Sequence, residues 1–502
     1  MKANEIVSLW AGKERRDLIT IMLGQGLQAV TAFVAVRLLT SLLSPEEAGR
    51  YYILLSLSGF FALLLINPVG NYMARKVHEW HRCETIQKNL YLFWLYLLGA
   101  ALFAFFVLLL LESTVGLGID VTWLWLLALV AGSLFFNTAN VTVTTTLNML
   151  GNRIWFVIFT LLTLWVGLGL SFFFTSKINT QAEYWLAGVI LAQSLIFFLS
   201  YRYLTTSLNR SRNEPRPGLP SIPKFSRMLP PLHFAWPLGI VAGLSWVQSQ
   251  SYRFVLSHFG GLEALGLFAV GYGIAVAITQ SFESVFVQYY FPIFYKEVST
   301  ADLEGRKTSW NRFAAYLFPG ALVMTAFIIA CAPYLIKLMV APQFHEAGRF
   351  ILWGGLAELA CLLARGFSMM AHAELKTTWL IPASITGAIV ALGGGLALAQ
   401  WGPQVGTGIA LTIAGFAMLL HLAVRLHKEV AFSLPWRRIL ISIALSAPLL
   451  VVLLIGINPL IGQPTYVQAI VVLVIAGSYV AAVQYFMATR WLDSVKIKGG
   501  VS

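Results

Sequence analysis

Tyr91-Leu92-Phe93-Trp94-Leu95-Tyr96-Leu97-Leu98-Gly99-Ala100-Ala101-Leu102-Phe103-Ala104-Phe105-Phe106-Val107-Leu108-Leu109-Leu110-Leu111 contains no charged side chain, and it sits between Lys88 and Glu112. At about 1.5 Å of rise per residue, such a helix covers the roughly 30 Å hydrocarbon core of a bilayer. The pattern recurs along the chain. Apolar runs of spanning length lie near 18–43, 51–70, 89–111, 122–148, 154–175, 184–204, 233–258, 266–294, 313–340, 349–371, 378–400, 406–424, 439–460 and 466–489. The composition of the 502 residues agrees: 58% hydrophobic, 14% aromatic and only 11% charged, against about 25% charged in soluble proteins. A cytosolic enzyme, a disordered chain and a secreted disulfide scaffold are excluded. The expected fold class is an all-α polytopic membrane protein with about 14 transmembrane helices.

The formal net charge of +13 does not imply a nucleic-acid partner, because the basic residues sit in short clusters between the apolar runs. Of 34 Lys and Arg, 27 fall on the side that carries both chain ends, and the opposite side has Arg50, Lys177, Lys337 and Arg349. The remaining three, Arg37, Arg253 and Arg365, lie within spans. This positive-inside bias places the N- and C-termini in the cytoplasm. Lys13, Arg15 and Arg16 lead into a stretch of full spanning length, so no cleavable signal peptide is expected. Cys83, Cys331 and Cys361 are far apart and show no metal-ligand or disulfide spacing; no metal and no cofactor is expected.

The longest polar connection runs from about Thr205 to Leu232 and holds Pro215, Pro217, Pro220, Pro223, Pro230 and Pro231, the composition of a linker. After it the pattern restarts. Arg37 precedes a turn with Glu47-Ala48-Gly49, and Arg253 precedes one with Glu263-Ala264-Leu265-Gly266, an offset of 216 residues between the arginines. Equal orientation of both copies implies a parallel repeat about an axis along the membrane normal. The expected organisation is an N-terminal lobe (1–206), a basic Pro-rich linker (207–232), a C-terminal lobe (233–426), and an added helix pair with a cytoplasmic tail (427–502). Two six-helix lobes facing each other would enclose a midplane cavity suited to alternating access.

Polar residues inside spans are unfavourable in hydrocarbon and so mark function or helix pairing. Arg37 and Arg253 each sit about two turns from a helix end, where they either snorkel or contact an anion. Gln280, Glu283, Ser284 and Gln288 share one helix face, with Glu283 the candidate ion-coupling carboxylate. Glu358 and Arg365 are seven apart on a common face. A direct salt bridge there needs long side chains and bending; a water-bridged or interhelical pair is the alternative. Glu358 is the second ion-coupling candidate, and Arg365 joins Arg37 and Arg253 as a candidate substrate contact. Gln25, Gln28, Asn137, Asn140 and Gln248 complete the candidate cavity lining together with Gln280 and Gln288; each could equally be helix–helix glue. No catalytic group is expected: outward loops are short, their acids are scattered, and no phosphate-binding GxxxxGK[ST] loop occurs.

The run Arg37-Leu38-Leu39-Thr40-Ser41-Leu42-Leu43-Ser44-Pro45-Glu46-Glu47-Ala48-Gly49-Arg50-Tyr51 resembles the opening of polysaccharide-unit flippases, the polysaccharide-transporter branch of the MOP superfamily. Ala235-Trp236-Pro237 through Tyr252-Arg253-Phe254-Val255-Leu256, then Ala264-Leu265-Gly266-Leu267-Phe268-Ala269, looks like the start of that family's second lobe. Pro342-Gln343-Phe344-His345-Glu346-Ala347 is similar to the family as well. The resemblance implies a non-enzymatic flippase of O-antigen or exopolysaccharide repeat units in the bacterial cytoplasmic (inner) membrane. Its cargo would be an oligosaccharide on a polyprenyl diphosphate carrier, moved from the inner to the outer leaflet by proton or sodium antiport. Membrane lipids and the polysaccharide polymerase machinery are the partners it implies. The family often has Asp-Arg where this chain has Tyr252-Arg253, which removes a carboxylate from that position. A peptidoglycan lipid-precursor flippase or a multidrug exporter of the same superfamily is the alternative expectation. A membrane glycosyltransferase or polymerase is a more distant one.

Overall fold

A computed structural model describes residues 13–115, 122–210, 229–300, 302–373, 377–430, 432–456 and 463–498. These residues are helical throughout, with no strand among them. They fall into two compact units, Met1–Trp246 and Val247–Ser502.

The first unit begins with α1 (Lys13–Leu42) and a tight turn into α2 (Pro45–Phe61). Ser44 caps α2 by accepting the Glu47 N–H at 3.2 Å, and Pro45 takes the first helical position, where its missing donor costs nothing. The helix then passes through a π turn (Ala62–Ile66) into α3 (Asn67–Arg82). Pro68 is the reason for the π turn: it cannot donate to the carbonyl four residues back and its ring crowds that carbonyl. The Tyr96 hydroxyl, from α4 (Ile86–Val115), donates to the Leu65 carbonyl at 2.6 Å. The expected run 51–70 is thus part of a longer element.

Next come α5 (Trp123–Leu126), a second π turn (Leu127–Ala131) and α6 (Gly132–Met149), which together form one span. They are followed by α7 (Arg153–Lys177) and α8 (Ala182–Arg210). Helix α8 continues past the expected start of the linker, and residues 211–228 lie outside the described set. The Glu47 carboxylate accepts the Ala182 N–H at 2.8 Å, so an acid from the α1–α2 turn caps the N-terminus of α8. Arg50 lies 3.0 Å from Glu47 and 3.8 Å from Glu183, which closes an ion-pair cluster at that end.

Helix α9 (Leu229–Gln250) carries the chain from the first unit into the second. Trp246 donates its indole N–H to the Ser56 carbonyl at 3.0 Å and packs edge-on against Phe60. Helix α10 (Tyr252–Thr300) is interrupted at Gly261, whose φ of 77° and ψ of 175° belong to a region open to glycine alone. Thirteen helices among the described residues are long and apolar enough to span a bilayer, and one of these, Gly239–Ser284, has 46 residues. At 1.5 Å per residue that is about 69 Å, roughly twice the hydrocarbon thickness. The break at Gly261 divides it between the expected seventh and eighth runs, and this reconciles thirteen helices with fourteen expected runs.

The expected run 313–340 is two helices, α11 (Leu303–Ala330) and α12 (Ala332–Met339). Pro333 cannot bond back into α11, and Cys331 takes φ −88° and ψ 2° at the junction. A 3₁₀ segment (Pro342–Phe350) leads into α13 (Ile351–Ala373), then α14 (Leu380–Leu398), α15 (Pro403–Val430), α16 (Trp436–Gly456) and α17 (Tyr466–Lys498). The core of this unit contains a mutually packed trio, Trp310, Phe367 and Phe432, with ring centroids 4.5–5.0 Å apart. Such aromatic pairs contribute about 0.5–1.5 kcal/mol each beyond their burial. In the apolar 18-residue window of Pro342–Ala371, 72% of the residues are buried, against 11% in that of Trp436–Gly456, so α16 is peripheral.

The repeat has a structural counterpart inside each unit. In the first, Glu47 of the opening turn caps α8, the sixth span. In the second, Gln404 at the start of α15, again the sixth span, donates to the Ala264 carbonyl at 3.1 Å. Ala264 is 216 residues beyond Ala48, the same offset that separates the two arginines.

Candidate functional site

Three of the five charged side chains expected within spans meet in the second unit. Arg365 on α13 donates from Nε to Glu283 of α10 at 2.7 Å and from Nη2 to Glu358, two turns away on its own helix, at 3.2 Å. Glu358 and Arg365 therefore form a direct salt bridge, with Glu283 as a second, interhelical partner. The approach of α13 to α10 makes this reach possible. At Gly354 a Cβ would come within 2.8 Å of the Ala275 Cβ and 2.9 Å of the Tyr272 carbonyl, so any side chain there would hold the helices apart. Glu358 is 8% exposed, whereas the Arg365 side chain keeps 41% of its surface accessible. One guanidinium thus serves two carboxyl groups inside a spanning segment, where an unpaired charge is unfavourable.

Gln248 adjoins this cluster through Cys361, which lies on α13 between Glu358 and Arg365: its Nε2 is 3.9 Å from the Cys361 Sγ. The Gln248 amide also lies against Gly387, where a Cβ would come within 2.6 Å of its oxygen. Gln248 is thus buried packing between α9, α13 and α14. Arg253 is half-buried; its Nε donates to the Tyr252 hydroxyl at 3.2 Å. The carboxylate that the resemblance implies at this position is replaced by the Tyr252 hydroxyl. Gln280 is exposed, and the Gln288 side chain lies outside the described residues.

In the first unit Arg37 and Gln28 are half-buried and Gln25 is exposed, all on α1. Asn140 is buried and donates to Thr163 at 2.9 Å, while Trp165 donates to Thr31 at 3.0 Å. These bonds tie α7 to α6 and to α1, the role of helix–helix glue. Asn137 is exposed and accepts from Gln193 at 3.1 Å. It also lines a cavity of about 360 Å³ with Asn67, Asn71, Thr138, Thr142 and Thr145. Among the described residues none that lines this cavity is charged, and Trp80 adds an aromatic face. Beside Asn137 the fold adds a threonine stripe at 138, 142 and 145, whose i, i+4, i+7 spacing is legible in the sequence although these residues are not among the candidates above. Trp353 packs against Gly408, and Trp246 is held by Ser56 and Phe60. The side chain of Trp236 lies outside the described residues.

No curated protein sequence matches the chain. Among solved structures, the lipid II flippase MurJ in an inward closed conformation superposes with a TM-score of 0.70 at 12% identity, covering 95% of this chain and 99% of that one. An inward-facing multidrug resistance MATE family transporter of the MOP superfamily gives 0.54 at 14% identity, covering 82% and 98%. A MOP superfamily transporter from Pyrococcus furiosus, described as having a binding pocket of reverse polarity, gives 0.50 at 14% identity, covering 85% and 99%. These likenesses establish a shared fold. Residues 15–297 match the polysaccharide biosynthesis protein family, more than half of the chain. The chain belongs to the polysaccharide biosynthesis protein family and has the fold of MOP superfamily transporters.

Proposed function

We propose that the protein is a flippase that moves a polyprenyl-diphosphate-linked oligosaccharide from the cytoplasmic to the outer leaflet of the bacterial inner membrane. Alternating access coupled to proton or sodium antiport is the mechanism we assign to it. The observation that carries the reading is the 360 Å³ cavity of the first unit, where Asn67, Asn71, Asn137 and a row of threonines stand among apolar side chains with no charged group among the described lining residues. Amides and hydroxyls supply both donors and acceptors, the complement a neutral sugar needs. A multidrug exporter for cations would be served better by free acids, whereas Glu283 and Glu358 are both engaged by Arg365.

The guanidinium cluster offers a chemical route to coupling. Two of the Arg365 donors go to the carboxylates, and its side chain remains accessible. A diphosphate approaching Arg365 competes for those donors. A carboxylate released from the guanidinium in a low-dielectric segment takes up a cation or a proton rather than stay bare. Cargo binding at Arg365 and ion occupancy of the carboxylates are thereby linked through one guanidinium, which is what coupling to an ion gradient requires. A peptidoglycan precursor carries the same diphosphate, so the sugar decides between the two cargoes. The test is the lipid-linked glycan that accumulates in cells lacking this protein. A repeat-unit oligosaccharide supports the proposal; accumulation of peptidoglycan precursor, or of no lipid-linked glycan, overturns it.

A further inference from the structure

A second pocket, about 700 Å³, lies wholly in the second unit, and none of its lining residues belongs to the carboxylate–guanidinium cluster. Its wall is apolar where Ile336, Leu352 and Leu453 face it, and two cations, Lys337 and Arg349, stand on it. It is built by residues between the ninth and tenth spans and by the end of α16 with Gln463 and Pro464, between the thirteenth and fourteenth spans; both are odd-to-even connections between spans and so lie on the same membrane face. On that face the charge count finds four of 34 basic residues, and half of them line this one pocket. The other two are elsewhere: Arg50 is held by Glu47 and Glu183, and Lys177 ends α7.

The two cations are fixed in position. The Lys337 ammonium rests 5.1 Å from the Tyr466 ring centroid of α17, and Arg349 pairs with Glu346 at 2.9 Å. With one acid against two cations the rim stays positive. A helix-end lysine above an apolar wall sits at the depth of lipid phosphates. We propose that this pocket binds an anionic phospholipid of the adjoining leaflet, its phosphodiester on Lys337 and Arg349 and an acyl chain along Ile336, Leu352 and Leu453. The site gives the added pair a role: α16 supplies Leu453 and Gly456 to the wall, and α17 supplies Tyr466 behind Lys337. It is independent of the cargo.

The test uses the purified, delipidated full chain, with thermal unfolding followed as phosphatidylglycerol or phosphatidylcholine of identical acyl chains is added. Phosphatidylglycerol is expected to raise Tm by about 2–4 °C more than phosphatidylcholine, since a ligand that binds only the folded state stabilises it. The double variant K337Q/R349Q should lose that difference, while Lys177→Gln, a cation on the same face, should keep it. Leu453→Trp, which fills the pocket and leaves both cations in place, should lose it as well, and it decides the matter if the double variant does not fold. Equal shifts for the two lipids, a difference that survives in both pocket variants, or the full shift with glycerol phosphate in place of lipid would overturn the proposal.

Discussion

Arg365 and Glu283 are 82 residues apart in sequence and 2.7 Å apart in the fold, and Glu358 shares the same guanidinium at 3.2 Å. One fixed cation thus organises two carboxylates from two helices. The two acids offered as ion-coupling residues are members of a single cluster.

Removing the cation leaves two carboxylates facing each other. Breaking a fully buried ion pair costs about 3–5 kcal/mol, and the accessibility of Arg365 reduces that. Arg365→Gln is expected to destabilise by about 2 kcal/mol, and adding Glu283→Gln should restore part of the loss. Thermal unfolding of the single and double variants measures this coupling. Strictly additive effects would mean that the contact contributes nothing.

The close approach of α13 to α10 rests on the absence of a side chain at residue 354. Gly354→Val forces atoms into the Tyr272 carbonyl and Ala275, which overpacks the contact at a cost of about 1–3 kcal/mol. Unfolding should shift accordingly. Spin labels on α10 and α13 should report a wider separation than in the unsubstituted chain.

Glu47 caps α8 across the first unit, so its loss removes an N-terminal cap and a partner of Arg50. Glu47→Ala should cost about 1 kcal/mol in thermal unfolding. Glu46→Ala, the neighbouring acid of the same turn, should change stability by less than half as much.

The basic-residue bias predicts sidedness. In a chain lacking Cys83, cysteine at Glu112 should react with an impermeant reagent added outside, and cysteine at Lys428 only after the membrane is opened. The reverse pattern would invert the topology.

The spans were legible because hydrocarbon thickness sets their length and composition betrays them. The interruptions needed more. Pro333 signals the break between α11 and α12, yet the apolar run continues through it and masks the boundary. Pro68 signals the π turn, but only the fold shows that Tyr96 reaches a carbonyl within it. In the site, helical periodicity placed Glu358 and Arg365 on one face without saying which helix opposes them; that depends on Gly354 and its neighbours. Asn140 had the right spacing for a cavity and proved to be an interhelical tie to Thr163. Thr138, Thr142 and Thr145 share a helix face in the sequence, but only the fold shows that a cavity lies against them.

Transfer of a lipid-linked oligosaccharide between leaflets of vesicles containing only the purified protein is the most direct measurement. The proposed account predicts that an impermeant glycosidase outside will gain access to glycan from the inner leaflet faster than in protein-free vesicles. The rate should respond to an imposed proton or sodium gradient with the unsubstituted chain and lose that response in Glu283→Gln. Transfer no faster than in protein-free vesicles would contradict the flippase assignment, and a gradient response unchanged in Glu283→Gln would contradict the coupling role of the cluster.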